Sequence, residues 1–283
     1  MQINNSLSAL YVNRNLKTVS KNLDKSVEKL ATGRRINRAG DDATNLAVSE
    51  KMRTQIRGLK QAERNAQNGL SFIQVAEGNM GQVNDILQRI RELSVQAANG
   101  IYSESDRMQI QVEVSQLIEE VDRIGTSAEF NKLKLLTGDL ARGSAKASVF
   151  FHVGPNQNQR IRAYIRTMNA SSFGLMDGPD EKKGIGTVAD ANSMIGVIDQ
   201  SLDKLNLQRA ELGAYYNRID TTIDALRTGY ENMVAAESRI RDTDMAEELL
   251  EYTKNQVQLQ SGTAMLAQAN FSSRLVLNLL DRL

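Results

Sequence analysis

The chain has 283 residues, with 35 basic and 34 acidic side chains (net charge +1), no Cys, no Trp and 5% aromatic residues. That balance lacks the basic footprint of a nucleic-acid binder, and the absence of Cys excludes disulfides and thiolate metal sites. No stretch is apolar enough for a membrane span, Met1–Asn13 does not read as a secretory signal, and both prolines, Pro155 and Pro179, lie mid-chain, so the flanks suit long helices.

Residues 1–13 carry no charged side chain. A heptad seam begins there: Ala9, Val12, Leu16, Val19, Leu23 and Leu30, interrupted at Ser26. A second seam runs Leu59, Ala62, Ala66, Gly69, Ile73, Ala76, Met80, Val83, Leu87, Ile90, Ser94, Ala97 and stops at Asn99-Gly100. Ser103 with Asp106 reads as the start of a third helix, resembling a capping box. Its seam is Ile110, Val114, Leu117, Val121, Ile124, Ala128. The short break predicts that it folds back antiparallel on the second.

Residues 137–187 differ in kind. They hold both prolines and seven of the nineteen glycines. Ser148–Val153 and Arg160–Ile165 have β character and flank Gly154-Pro155-Asn156-Gln157-Asn158, which predicts a hairpin. Phe173–Gly186 reads as loop. A fourth seam then starts: Val188, Ala191, Ile195, Ile198, Leu202, Leu205, Arg209, Leu212, Tyr216, Ile219, Ile223, Leu226, Tyr230, Met233. At ~1.5 Å per residue it makes a rod roughly 69 Å long, and one helix cannot bury such a seam alone.

Asn255–Ser273, nineteen residues, are again free of charge. Two heptad rows run through this end. Leu250, Val257, Ala264 and Phe271 form one; Tyr252, Leu259, Leu266 and Leu280 form the other. Positions 250 and 252 lie about 200° apart around a helix, so the helix needs neighbours on both sides. Gln256, Gln258, Gln260, Gln268 and Asn270 favour protein neighbours over lipid, where unpaired amides are costly. In a lone subunit such ends are expected to be frayed, because ordering a residue costs ~1–2 kcal/mol. The predicted fold is mainly α: a long antiparallel helical bundle with a short central β-hairpin region. Candidate subunit-interface residues are Leu7, Leu10, Leu16, Leu23, Leu250, Val257, Leu259, Leu266, Phe271 and Leu280.

Catalytic and metal chemistry find no foothold. His152 is the one histidine, without a spaced ligand partner, and reads as a strand residue. Asp41-Asp42 and Glu247-Glu248 are adjacent pairs that diverge by about 100° on a helix, which suits caps and salt bridges rather than acid–base work. Gly184-Ile185-Gly186 is too short for a phosphate loop. Arg34, Arg35 and Arg38 beside Asp41 and Asp42 mark a bend between the first helix and the rod. There a solvated face and ion pairs between subunits are both open readings, and Arg34, Arg35, Asp41 and Asp42 join the candidate subunit-interface residues.

Longer motifs carry a resemblance. Leu30–Ala43 (LATGRRINRAGDDA), continuing through Leu46–Arg53 to Gln55–Leu59, is similar to the N-terminal signature of the bacterial flagellins. So are Leu87–Gly100, Arg209–Ala214, Ala235–Glu248 and Gly262–Asn270. Together they cover roughly residues 1–136 and 188–283. Phe151–Gly154 followed by Asn158–Ile165 resembles the short flagellins that form the core of spirochaetal periplasmic flagella. The tail departs from the family, ending in Asp281-Arg282-Leu283.

The resemblance implies a structural subunit that polymerises with itself, in a periplasmic filament or, alternatively, an extracellular one. It assigns 1–40 with 245–283 to an inner-tube coiled coil, 41–136 with 188–244 to a helical rod, and 137–187 to a hairpin region of that rod. It also implies the flagellar type III export apparatus, an export chaperone on the C-terminal helices, hook-associated and cap proteins, and coat proteins if the filament is periplasmic. No cofactor is implied. Arg89, Leu93 and Glu113 match positions read by the vertebrate innate flagellin receptor. A hook–filament junction protein is the alternative. A membrane-anchored signalling receptor would need a span and an enzyme a convergent site, neither of which the sequence offers, and an export chaperone would stay cytosolic and never polymerise with itself.

Overall fold

The computed structural model describes residues 7–142, 148–176 and 182–280, the side chains of 272–280 excepted. In chain order it holds α1 (Leu7–Thr32), α2 (Ala43–Ala97), α3 (Glu104–Ser127), β1 (Glu129–Phe130), β2 (Leu133–Lys134), β3 (Val149–His152), β4 (Arg160–Ala163), α4 (Val188–Arg241) and α5 (Met245–Leu280). The mainly α fold with its central hairpin is as expected. The chain parts into two compact units, 1–55 with 231–283, and 56–230. The tail residues Asp281-Arg282-Leu283 lie outside the described residues.

Side chains placed for the purpose start the helices. Asp42 Oδ1 accepts the Asn45 N–H at 2.9 Å ahead of α2. Ser103 and Asp106 form the reciprocal capping box of α3. Thr187 accepts the Asp190 N–H at 3.1 Å ahead of α4, and Asp244 accepts the Ala246 N–H at 2.8 Å ahead of α5. Gly33, at φ +69°, ends α1.

In the unit 56–230 the seams meet. Ion pairs act as ruler marks: Arg91–Asp199, Glu77–Arg209 and Glu63–Arg227 run in opposite directions along α2 and α4. Arg89–Glu113, with Arg107 donating to the Ala97 carbonyl, does the same for α2 and α3. The bundle is antiparallel in both pairings. Every seam residue of α2 from Ala62 to Ala97 is buried. Gly69, which interrupts that seam, is where the hairpin seats: a Cβ there would lie 2.9 Å from the Phe151 ring. Phe72 completes the contact, edge-on to both Phe151 and Phe130 at 5.6 Å between centroids.

The α4 seam is read correctly at Ala191, Ile198, Leu205, Leu212, Ile219, Ile223 and Leu226, all buried. Its other row is shifted by one residue. Ile195, Leu202, Arg209 and Tyr216 are only half-buried, whereas Met194, Ser201 and Gln208 are fully covered. The cause is polar chemistry at buried positions. Ser201 Oγ donates to the Phe173 carbonyl at 2.8 Å. Gln208 Nε2 donates to the Tyr164 carbonyl at 3.2 Å, and its Oε1 accepts the Arg166 N–H at 3.3 Å. These side chains satisfy the backbone of the irregular segment laid across the bundle.

The β3–β4 hairpin pairs antiparallel in register Val149↔Ala163 to His152↔Arg160, as its turn residues predict. The small β1–β2 hairpin is an addition. It turns through Asn131 (φ 49°) and Lys132 (φ 63°), the two positive angles of a type I′ turn, without the glycine that normally advertises one.

Two glycines on the helices of this unit should respond oppositely to alanine. At Gly125 a Cβ would sit 2.7 Å from the Met168 carbonyl oxygen, a backbone atom that cannot move aside cheaply. At Gly78 it would meet nothing within 4 Å. Gly125→Ala is expected to lose about 1–3 kcal/mol, and Gly78→Ala to gain up to ~1 kcal/mol. Urea unfolding midpoints of the two variants check the signs.

Candidate subunit interface

The unit 1–55 with 231–283 is built on an antiparallel coil of α1 and α5. Lys29 reaches Glu248 at 3.1 Å, and thirteen residues earlier in α1 a Cβ on Gly262 would lie 2.7 Å from Leu16 Cδ2. The α1 seam Ala9, Val12, Leu16, Val19, Leu23 and Leu30 is half-buried, with Ser26 fully buried. Facing it on α5 are Glu248, Tyr252, Asn255, Leu259, Gly262, Leu266 and Ala269, all buried or half-buried at 4,3 spacing. This coil covers Leu16, Leu23, Leu259 and Leu266 within the chain.

The other apolar row of α5 is not covered. Leu250 is 72% exposed, Val257 64% and Phe271 59%; Met245, Leu249 and Met265 are exposed with them. On α1, Leu7 and Leu10 are likewise open. Leu280 closes α5, and its side chain lies outside the described residues. Both terminal helices are therefore formed and paired in the single chain, rather than frayed, while one face of each stays apolar and wet.

Two polar groups in the coil are incompletely satisfied. Glu248 Oε1 and Asn255 Nδ2 are buried without a hydrogen-bond partner. Polar residues at seam positions reduce stability but fix register, because any shift would bury them worse.

At the bend the charged cluster serves its own chain. Arg34 bridges to Asp242 through its backbone, the Arg35 N–H donates to the Arg241 carbonyl at 2.7 Å, and the Thr243 N–H donates to the Gly33 carbonyl at 3.1 Å. The Arg35 guanidinium reaches the Ile240 carbonyl at 2.7 Å and Arg38 pairs with Glu28 at 2.9 Å. Asp41 accepts the Arg38 and Asn37 amides at 3.0 and 3.3 Å and lies 3.6 Å from Lys25. Those amides, Arg38's first, hold the Asp41 carboxyl below its ordinary range, aided by Lys25. The Asn45 amide, capped by Asp42, does the same for Asp42. Glu50 was not singled out from the sequence. It pairs with the buried Arg241 at 2.6 Å and with Arg53 at 3.2 Å, and Arg241 chiefly lowers its pKa. No local sequence signal links Glu50 to Arg241, 191 positions away.

In the other unit, Arg89 grips Glu113 through Nε and Nη2 at 3.0 and 2.8 Å and also meets Glu92 at 3.3 Å. Leu93 is buried. Of the three residues of that sequence motif, Arg89 and Glu113 form a surface ion pair and Leu93 is core.

Among the described residues no group of His, Cys, Asp and Glu could hold a metal ion, and no helix is long and apolar enough to cross a membrane.

The bend should be acid-sensitive. Its carboxyls have lowered pKa values when folded, so their contribution is complete above the ordinary carboxylate range and is lost as pH falls through it and below. Melting temperature is expected to drop below about pH 4.5. The Asp41→Asn, Asp42→Asn and Glu50→Gln triple variant should lose stability at pH 7 and show a flatter acid limb in a thermal-melt series.

Comparison with known proteins agrees with this architecture. The model of the bacterial flagellin N-terminal helical region matches residues 3–141, and that of the flagellin C-terminal helical region matches residues 195–280. The chain is 56% identical to flagellin FlaB2 of Treponema pallidum and 55% identical to the flagellar filament 33 kDa core protein of Treponema phagedenis, over 99% of this chain and all of each relative. Among solved structures, a provisionally assigned flagellar hook-associated protein from Vibrio parahaemolyticus shares the fold. It is 14% identical, at a TM-score of 0.58, over 71% of this chain and all of that one. With both helical regions matched and more than half the residues shared with full-length relatives, the chain belongs to the bacterial flagellins.

Proposed function

We infer that this chain is a structural subunit that polymerises with itself into a flagellar filament. Flagellins are filament proteins and not enzymes. The observation that carries the reading is the open row Leu250, Val257 and Phe271 on a helix whose opposite row is already covered. A head-to-tail contact whose rotation does not close yields an open helical filament. In it, copies would cover this row together with Leu7 and Leu10. The coil of α1 and α5, 1–40 with 245–283, would line an inner tube. The rod, 41–136 with 188–244, and its hairpin region 137–187 would stand outside it.

The core-protein relatives come from Treponema and Brachyspira, and several are named as flagellar filament core proteins. That supports a periplasmic filament with coat proteins around it, and it disfavours a hook–filament junction role. Export through the flagellar type III apparatus, a chaperone on the exposed apolar row of α5, and hook-associated and cap proteins at the filament ends complete the expected partners. Recognition by the innate receptor would meet Arg89 and Glu113 already paired with each other and Leu93 buried.

The charged residues of the bend bear on the same reading. Because Arg35, Arg38, Asp41 and Asp42 are engaged inside the chain, we assign them to holding the bend after α1 in its fold. Contact between copies falls to the apolar rows.

Burying one large apolar side chain is worth about 1.5–3 kcal/mol. The Leu250→Glu, Val257→Glu double variant is therefore expected to raise the critical concentration for seeded polymerisation by at least ~100-fold, with its helical circular dichroism unchanged. Removal of 255–283 should leave a soluble, mainly helical protein that does not polymerise. Normal filaments from either protein, seen by negative-stain microscopy, would contradict the reading.

A further inference from the structure

The outward face of the β3–β4 hairpin carries Phe150, His152, Arg160 and Arg162, while Phe151, Ile161 and Ala163 turn inward. Phe150 is 47% exposed. The Arg160 and Arg162 guanidinium carbons lie 4.6 and 5.1 Å from its ring centroid. Beside this face opens a cleft of about 590 Å³, bordered by Arg160 and Ile161 of β4, Pro155 at the hairpin tip, and Arg218, Thr222 and Leu226 of α4. No carboxylate lines it.

Arg89, Arg91, Arg123, Arg166, Arg209 and Arg227 of the same unit each face a carboxylate. Arg160, Arg162 and Arg218 have no ion pair among the described residues, in a chain with almost as many acids as bases. Stacking on Phe150 holds two of these guanidinium groups in place before any anion arrives. Their planar forks suit carboxylates, and the ordering entropy is already lost.

The backbone beside the arginines is also available. The Val153 N–H donates to the Gln159 carbonyl at 2.9 Å. Antiparallel alternation then makes Phe151↔Ile161 and Val149↔Ala163 the bonded pairs, and turns the Arg162 N–H and carbonyl away from β3. Two residues on, the same edge is capped by the Gln208 amide at Tyr164 and Arg166. At Arg162 no such cover exists among the described residues. A free strand edge flanked by cations is the arrangement that accepts an extended acidic chain. An anionic sugar polymer would neutralise the arginines but leave the edge unpaired.

We propose that this cleft binds an acidic, extended segment of another protein, which adds as a strand along β4 at Arg162 and sets its carboxylates on Arg160, Arg162 and Arg218. The probe is a fluorescent (Glu-Val)6 peptide titrated onto the full chain in its soluble form, with (Lys-Val)6 and (Glu-Pro)6 as comparisons. (Glu-Val)6 should bind at low salt and weaken about tenfold or more at 0.5 M salt, where charges are screened within about 4 Å. The Arg160→Gln, Arg162→Gln, Arg218→Gln variant should weaken it similarly while still forming filaments. (Lys-Val)6 should not bind, and (Glu-Pro)6, unable to pair as a strand, should bind at least about fivefold more weakly. The proposal is overturned by absent (Glu-Val)6 binding, by equal binding of (Glu-Pro)6, or by an unaffected triple variant. Loss of filament formation in that variant would also overturn it, by marking the cleft as a contact between copies.

Discussion

The α5 helix has two apolar rows about 200° apart, and a single chain supplies a partner for only one of them. The Tyr252, Leu259, Leu266 row lies on α1, while the Leu250, Val257, Phe271 row faces water. Much else follows from this asymmetry. A monomer that buried both rows would have no reason to associate, and one that buried neither would have no ordered end to present. Pairing the two termini in an antiparallel coil makes a rigid element, and the leftover row on that element becomes a surface with defined spacing.

Rigidity and register have different sources. Apolar seam residues supply burial, but a heptad seam of Leu, Ile and Ala can slide by one repeat at little loss. The polar members of the seams resist that. Gln208 and Ser201 hold backbone groups of the segment across the bundle, and Ser26, Glu248 and Asn255 interrupt the terminal coil. At the bend, the backbone bridge between residues 33–35 and 241–243, with the Glu50–Arg241 pair, ties the start of α2 to the end of α4. A subunit of a long polymer has to reproduce its own geometry in every copy, and these polar contacts are where that geometry is specified.

Much of this was legible in residue order, and the failures have physical causes. The α2 seam is read residue by residue, because burial there is almost wholly apolar. Gly69 looked like a flaw in it, and only the three-dimensional fold shows the Phe151 ring that needs the missing side chain. One row of α4 is displaced by a residue, since Ser201 and Gln208 are deeply buried and an apolar pattern passes them over in favour of Leu202, with Arg209 drawn in by spacing alone. The β3–β4 hairpin is signalled by Gly-Pro-Asn, whereas β1–β2 turns through Asn131-Lys132 and gives no such sign. In the candidate interface, the two rows of α5 are plain from spacing alone. That Arg35, Asp41 and Asp42 have partners within the chain is not, because those partners include main-chain amides and carbonyls, to which sequence pattern is blind.

Amide hydrogen exchange of 245–271, compared between the soluble chain and the assembled filament, tests the central claim most directly. If the outer row of α5 finds its partner only in neighbouring copies, protection along Leu250–Phe271 should rise by at least about 100-fold on assembly, matching ~3 kcal/mol of added local stability, while the buried core of α2 changes little. Equal protection of that segment in both states would mean the helix needs no company, and the account would fail.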